Sequence, residues 1–346
     1  MKLKLAAAVA LLPVLVACGG GGGDSSGDNS LDPDRGNTGD NINTDNPINE
    51  DRTRPASGSF SSTMTPVKDN GANPFPNEGP QEVNINRVVA WPGLRFGDFL
   101  VTNNPWNASA GTYENWYQDI SLISSGDNVQ AVIDWDWGAS ADTHGSLFNT
   151  KSFPEVIYGT KSQAERSGDF ATTGLPVEHF DSPVWTIDYA YNTQGRRSSS
   201  NSGGGTDSEY NVAIESFYHD SCDIKRTGAP TDNQVMEIMV WLKLDQNKPS
   251  GQSPHPDPFT TSDGRVYDVY AKSSNYNYIA YVAREEQTSG SVMYTEILND
   301  AVDNAAKYGV YQVKDTDCLA NILAGTEIWH GAGTFTLTDY QIHRTY

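Results

Sequence analysis

The sequence predicts an all-β sandwich or jelly roll, because many short segments alternate apolar and polar residues and polar turns separate them. Alternation over four to ten residues is typical of strands with one buried face. Turns such as residues 125–128 (Ser-Gly-Asp-Asn) and 262–264 (Ser-Asp-Gly) lie between these segments. The 17 Tyr and 8 Trp also suit β-sheets. The predicted strands are Val83–Val89, Ile120–Ile123, Val129–Trp137, Val184–Tyr191, Tyr210–Tyr218, Val235–Leu242, Tyr276–Arg284 and Thr334–His343.

The first 58 residues are expected to lie outside this fold. A basic start precedes an apolar run, Leu5–Ala17, that is too short for a permanent membrane span. Cys18 follows at once, which is the pattern of a bacterial lipobox; an ordinary signal peptide with an incidental cysteine is the alternative. We therefore expect a signal peptide over 1–17 and a lipid on Cys18. Residues 18–58, poor in large apolar side chains, would form a disordered linker to a membrane.

Residues 59–346 remain for one β-domain with one helix. From Tyr294 to Tyr308 the apolar residues fall at helical spacing, and Gly309 follows as a stop signal. Cys222 and Cys318 favour a disulfide in an exported protein, although two buried thiols are the alternative. No Cys/His spacing resembles a zinc site and no glycine-rich loop resembles a phosphate-binding loop, so the sequence gives no sign of a metal or a cofactor.

The chain carries a formal net charge of −21 and has a pI of about 4.5. This argues against nucleic acid as a partner and is compatible with a neutral polysaccharide. We expect an exported monomer at the outer membrane or cell surface.

One predicted strand places a carboxylate among large apolar side chains. Met236, Ile238, Val240 and Leu242 share one face, and Glu237 shares the other with Met239 and Trp241. A carboxyl group in such surroundings has a raised pKa. This is typical of a cleft floor, although an exposed edge-strand glutamate has the same pattern.

A second glutamate lies in a glycine-rich segment. Glu327 and Trp329 share parity, and glycines flank them on both sides, which permits tight bends or close approach of a polymer. Two separated carboxyl groups are what glycoside hydrolysis requires. Glu215, on another predicted strand, would supply a nearby negative charge; an ordinary outward-facing carboxylate is its alternative.

These segments resemble glycoside hydrolase family 12, the jelly-roll endoglucanases and xyloglucanases. Residues 237–241 (Glu-Ile-Met-Val-Trp) resemble the family's nucleophile strand, and 325–327 (Gly-Thr-Glu) resemble its acid/base motif. Glu215 matches the position of a third carboxylate that is usually Asp. Residues 103–107 (Asn-Asn-Pro-Trp-Asn) resemble an Asn-Asn-x-Trp-Gly motif, with Asn107 in place of Gly; 133–137 and 152–159 resemble two further family strands.

The resemblance implies two antiparallel sheets, one of them curved around a concave substrate groove. It implies internal cleavage of β-1,4-glucan with retention, Glu237 being the nucleophile, Glu327 the general acid/base and Glu215 a supporting carboxylate. The residues expected to bind sugar are Asn103, Asn104, Trp106, Trp135, Trp137, Met239, Trp241 and Trp329. For Trp135 and Trp137, parity leaves groove and core equally open.

Other functions remain open from the sequence. A carbohydrate-binding lipoprotein without activity would keep the aromatic residues but need not keep both glutamates. A jelly-roll xylanase fits the two motifs less well, and a purely structural surface lipoprotein needs no paired carboxylates. Cellulose, mixed-linkage β-glucan and xyloglucan all suit the groove, and the Gln194–Ser208 loop is one segment that would shape it.

Overall fold

The fold is taken from a computed structural model of the chain. The structure describes residues 59–63, 81–85, 94–104, 117–125, 128–137, 150, 152–161, 167, 170–197, 208–224, 233–245, 249, 254–273 and 277–346. The predicted signal peptide, the linker, Cys18 and Trp106 lie outside the described residues, as does most of the Gln194–Ser208 loop.

Strands dominate the described residues. In chain order they are β1 (Ser59–Thr63), β2 (Gln81–Ile85), β3 (Leu94–Phe96), β4 (Phe99–Thr102), β5 (Tyr117–Ser125), β6 (Asn128–Trp137), β7 (Glu155–Gly159), β8 (Val177–Glu178), β9 (Val184–Arg196), β10 (Glu209–His219), β11 (Gln234–Asp245), β12 (Phe259–Thr260), β13 (Val266–Ser273), β14 (Asn277–Ala283), β15 (Ser289–Val292), β16 (Cys318–Leu319), β17 (Asn321–Gly325) and β18 (Ile328–Thr345). Seven of the eight strands predicted from alternation are present, and the eighth, Val83–Val89, is described only up to Ile85, where it forms the end of β2. The alternation marks the buried face correctly in β6 and β11.

Two sheets form the jelly roll that the sequence predicts. The first runs β2–β5–β6–β18–β9–β15, with β1 beside the end of β18. The second runs β3–β4–β7–β17–β10–β11–β14–β13–β12, and β16 joins β8 to the end of β10. Neighbours are antiparallel except β11 and β14, which are parallel. The start of β18 also pairs with β10, so this strand links the sheets.

The main core lies between the two sheets. It takes Ile133 and Phe335 from the first sheet and Ile238 and Ile279 from the second, among many others. On the opposite face of the second sheet lie two smaller apolar clusters. We call this the groove face. The clusters consist of Ala213, Met239, Trp241, Tyr270, Tyr278, Ala280, Val282 and Trp329, and of Leu100, Phe153, Ile157, Phe217 and Leu323.

Helices are few among the described residues. The predicted helix forms as α2 (Tyr294–Asp303) and a short α3 (Ala305–Tyr308), separated at Asn304, and α2 packs against β9. Gly309 ends α3 in the left-handed conformation at φ 71°, as predicted. Ala306 is exposed instead of packed. A four-residue helix, α1 (Phe170–Thr173), is too short for its periodicity to be visible in the sequence.

The disulfide favoured by the sequence is present. Cys222 and Cys318 are bonded, with Cα atoms 5.2 Å apart, which joins the segment after β10 to β16. In the part of the chain that is described, no helix is long and apolar enough to cross a membrane.

Candidate active site

Three glutamates lie together on the groove face. β10 contributes Glu215 and β11 contributes Glu237, whose backbone pairs directly with Phe217. Glu327 follows β17 and immediately precedes β18. All three side chains are buried, with 5%, 2% and 6% of their surface exposed. The structure therefore brings together the three carboxyl groups that the sequence singled out.

Glu237 lies in an apolar part of this face. Its register partner in β14 is Tyr278, and Met239 follows it on the same face of β11. Burial raises the pKa of the Glu237 carboxyl above its ordinary value, a hydrogen bond with Glu215 opposes that rise, and the charge of Glu327 adds to it. Glu237 Oε2 is buried and has no hydrogen-bond partner among the described residues.

Glu215 is the carboxyl group that lies next to Glu237 on the neighbouring strand. Burial, and then the charge of Glu237, raise the pKa of Glu215 well above its ordinary value. The hydrogen bond between the two carboxyl groups lowers the pKa of Glu237 and so favours its ionised form. Two carboxyl groups that cannot both ionise divide the roles of acid and carboxylate in this way.

Glu327 is fixed by one residue, Asn211 of β10. The Asn211 side chain donates from Nδ2 to Glu327 Oε2 at 2.5 Å and accepts the Glu327 amide at 2.8 Å. Burial raises the pKa of Glu327 to about 7, and the bond from Asn211 limits the rise. Glu327 therefore retains its proton up to about neutral pH, as a general acid requires.

Aromatic side chains surround the carboxyl groups. The rings of Trp241 and Trp329 lie 5.9 Å apart, and the Trp241 indole donates to Met239 Sδ at 3.4 Å. The structure thus places Met239, Trp241 and Trp329 on the same face as the glutamates, as the sequence predicted, but all three side chains are buried. Aromatic rings next to carboxyl groups are typical of sugar-binding clefts.

Trp135 and Trp137 lie elsewhere, and the prediction that they bind sugar is corrected. Both belong to the main core, with 0% and 1% of their surface exposed. The Trp135 ring packs edge-on against Tyr210, and the Trp137 indole donates to Gln118 Oε1 at 3.0 Å. Trp135 and Trp137 lie on the same face of β6 as Ile133, which also belongs to the main core, so of the two positions that the sequence left open the core is correct.

Asn103 and Asn104 also differ from their predicted role. Asn103 Nδ2 donates to the Gln118 carbonyl at 2.8 Å, and its Oδ1 accepts from Gln118 Nε2 at 2.7 Å. Asn104 adopts a positive φ of 30° and donates to Glu155 Oε1 at 3.1 Å. The two amides connect the end of β4 to β5 and β7, and they are buried instead of facing solvent.

Gly325, two residues before Glu327, allows β17 to pack closely against the neighbouring segment that leads into β7. A Cβ atom at Gly325 would stand 2.4 Å from the Pro154 carbonyl oxygen. Only glycine allows β17 to approach β7 this closely. The sequence had attributed the glycine to tight bends or to a polymer, and the neighbouring strand explains it better.

Sequence reasoning missed three polar residues of this face, namely Asn211, Glu155 and Lys161. Asn211 shares parity with Glu215, which is a signal that was available in the sequence. Glu155 begins β7, whose residues are all buried, and pairs with Lys161 at 2.5 Å.

Among the described residues, no group of three or more His, Cys, Asp or Glu has the arrangement of a metal site.

The sequence matches no protein-family model and no curated protein. Solved structures do match. The chain superposes on a family 12 xyloglucanase from Bacillus licheniformis with a TM-score of 0.59 and 16% identity, over 75% of this chain and 98% of the other. Endoglucanase 3 of Trichoderma harzianum, of family GH12, superposes with a TM-score of 0.54 and 18% identity, over 76% of this chain and 97% of the other. Endoglucanase cel12A of Rhodothermus marinus superposes with a TM-score of 0.54 and 18% identity, over 77% of this chain and 100% of the other. The chain therefore has the jelly-roll fold of glycoside hydrolase family 12.

Proposed function

We propose that this protein is a retaining, endo-acting glycoside hydrolase that cleaves β-1,4-glucan chains. The observation that carries the proposal is the pair of buried carboxyl groups on the groove face, Glu237 and Glu327, in two different environments. Burial raises the pKa of both groups, and what differs is their partners: a hydrogen bond with a second carboxyl group opposes the rise at Glu237, whereas Glu327, with a pKa of about 7, is bonded to the neutral Asn211. The carboxyl partner suits Glu237 to the role of carboxylate, and the amide partner suits Glu327 to the role of acid.

Both steps of a double displacement use these two groups. Glu237 attacks the anomeric carbon, the glycosidic C–O bond breaks, and Glu327 gives its proton to the departing oxygen. Water then attacks the same carbon as Glu327 takes a proton from it. The sugar–Glu237 bond breaks, and both carboxyl groups return to their starting state. Glu215 orients Glu237 through the hydrogen bond between the two carboxyl groups.

The substrate class follows from the face and from the matched structures together. The superposed proteins are named as a xyloglucanase and endoglucanases, and the groove face carries an aromatic cluster in which Trp241 and Trp329 are themselves buried beneath the surface. The substrate would be cellulose, mixed-linkage β-glucan or xyloglucan. Trp106, outside the described residues, remains a proposed sugar-stacking residue.

The cellular setting is likewise a proposal. The apolar run Leu5–Ala17, followed by Cys18, favours a lipid-anchored enzyme, with residues 18–58 as the linker and 59–346 as a monomeric hydrolase domain. Such an anchor would hold the groove near polymers outside the cell.

The test is a reducing-sugar assay of the protein on barley β-glucan, carboxymethylcellulose, xyloglucan, xylan and mannan. Glu237→Gln keeps the side-chain shape and removes the nucleophile, so turnover should fall by at least about 10³-fold while polymer binding persists. Glu285→Gln, at an exposed glutamate, is the matched control and should retain full activity.

Two results would contradict the proposal. Glu237→Gln with activity close to that of the unmodified protein would remove the nucleophile assignment. Binding of a polymer without cleavage of any member of the panel would favour a carbohydrate-binding lipoprotein.

A further inference from the structure

A buried ion pair lies on the groove face beside the catalytic carboxyl groups. Lys161 follows β7, and its Nζ lies 2.5 Å from Glu155 Oε1. The Glu155 side chain is fully buried and that of Lys161 is 13% exposed. The pair is therefore largely shielded from the solvent that weakens surface ion pairs.

Glu155 is itself held in place from the neighbouring strand. Thr102 Oγ1 donates to Glu155 Oε1 at 3.3 Å, and Asn104 Nδ2 donates to the same oxygen at 3.1 Å. These bonds fix the carboxylate, and the carboxylate in turn fixes the ammonium group. The positive φ of Asn104 brings its amide into this arrangement.

The ammonium group lies near two phenylalanine rings of the groove face. Lys161 Nζ lies 5.9 Å from the ring centroids of both Phe153 and Phe217. Phe217 is the direct strand partner of Glu237, and Glu215 lies two residues before Phe217 on the same face. The cation therefore lies one side chain away from the proposed nucleophile.

We propose that Lys161, oriented by Glu155, is a positioning residue that favours the ionised, attacking form of Glu237. This inference rests on the proposed function of Glu237. A buried ion pair adds little stability compared with packed apolar side chains, because both ions lose their hydration. Such a pair next to reacting carboxyl groups is better explained by electrostatic control of those groups.

The charges around Glu237 agree with this role. Lys161 lowers the pKa of both Glu237 and Glu215, against the effect of burial. Lys272 of β13, which lies across from Tyr278, also lowers the pKa of Glu237. The charged groups that act on the two coupled carboxyl groups, Glu215 and Glu237, are Glu155, Lys161, Lys272 and Glu327.

The two partners of the ion pair should have opposite effects when neutralised. Lys161→Met removes the cation, so the acid limb of the kcat/KM profile on barley β-glucan should move up by about one pH unit. At pH values below that limb, kcat/KM should fall about tenfold. Glu155→Gln leaves the cation without its counter-charge, so the limb should move down. Lys161→Arg should restore the profile, and Lys307→Met, at a distant surface lysine, should leave it unchanged.

A second measurement does not depend on catalysis. Carbon NMR of the protein labelled at the glutamate carboxyl carbons, with Glu237 assigned through Glu237→Gln, follows the titration of Glu237 itself. Its midpoint should rise in Lys161→Met and fall in Glu155→Gln. An unchanged midpoint in Lys161→Met, or shifts of the same sign in both variants, would overturn the inference.

The NMR titration also separates the two proposals. If the unmodified protein cleaves nothing, the proposed function fails, whereas the titration still decides whether Lys161 controls the charge of Glu237. A purely structural ion pair predicts a lower melting temperature in both variants, with the midpoint of Glu237 unmoved.

Discussion

At the scale of single residues, Asn211 illustrates how the acid/base is oriented. It makes four hydrogen bonds with the segment that carries Glu327: one from its backbone amide, one to its carbonyl from Thr326, and two through its side chain. Both side-chain bonds converge on Glu327, one on its amide and one on its carboxyl group. The position and the protonation of Glu327 therefore depend on one neutral side chain.

Asn211→Ala should reduce kcat about 10- to 100-fold, because a hydrogen bond to a charged group contributes about 1.5–3 kcal/mol. In the unmodified protein the bond from Asn211 favours the ionised form of Glu327. Its loss should therefore raise the pKa of Glu327 and move the basic limb of the pH–rate profile to higher pH. Asn192→Ala, at an exposed asparagine of β9, is the control. A lower rate with an unmoved basic limb would show that Asn211 supports only the fold.

Parity placed Glu237 on the face opposite the core residues of its strand, and the family resemblance then singled out Glu237 and Glu215 among otherwise ordinary strand carboxylates. The positions of Asn103 and Trp135 could not be settled in this way. Their partners, Gln118 and Tyr210, come from other strands, and cross-strand contacts are not visible in the local pattern of one segment. Glu155 was missed because its partner Lys161 lies beyond the end of its own strand.

At the scale of elements, the close approach of strands explains residues that strand propensity does not. A Cβ atom at Gly333 of β18 would stand 2.3 Å from the Trp135 ring, so glycine in one strand makes room for an indole from another.

The helix over α2 and α3 was visible in the sequence because its apolar spacing is local. Its separation at Asn304 was not visible, because the interruption does not alter that spacing.

The disulfide is the element-scale feature with the largest expected effect on stability. Cys222 and Cys318 are 96 residues apart in sequence, so the bond restricts a long loop of the unfolded chain. Its removal should cost about 2–5 kcal/mol. Urea denaturation of the Cys222→Ala/Cys318→Ala variant, compared with the oxidised and the reduced unmodified protein, measures this cost. Equal midpoints for the three samples would contradict the expectation.

At the scale of the whole molecule, one face of the second sheet supports the fold and the other bears the chemistry. The main core keeps the sandwich together, and the groove face carries three buried carboxyl groups with raised pKa values. Burying an ionisable group costs free energy when the group is charged. The fold therefore gives up stability at neutral pH to keep these groups in place.

The dependence of stability on pH tests this cost. The pKa of Glu327 is about 7 in the folded protein and has an ordinary value of 4.5. Below pH 4.5 the group is protonated in both the folded and the unfolded states. Between pH 4.5 and 7 the unfolded chain releases the proton and the folded protein keeps it, so the free energy of unfolding falls as pH rises, by up to about 1.4 kcal/mol per unit.

Glu327→Gln removes this titration while Asn211 keeps an oxygen to bond. The melting temperature of the variant, relative to the unmodified protein, should therefore rise steadily between pH 4.5 and 7 and then level off. Glu285→Gln makes the same charge change at an exposed site and should show no such trend. A difference that stays constant, or that falls as pH rises, would mean that Glu327 is ionised in the folded protein well below neutral pH, and that it holds no proton for a leaving group.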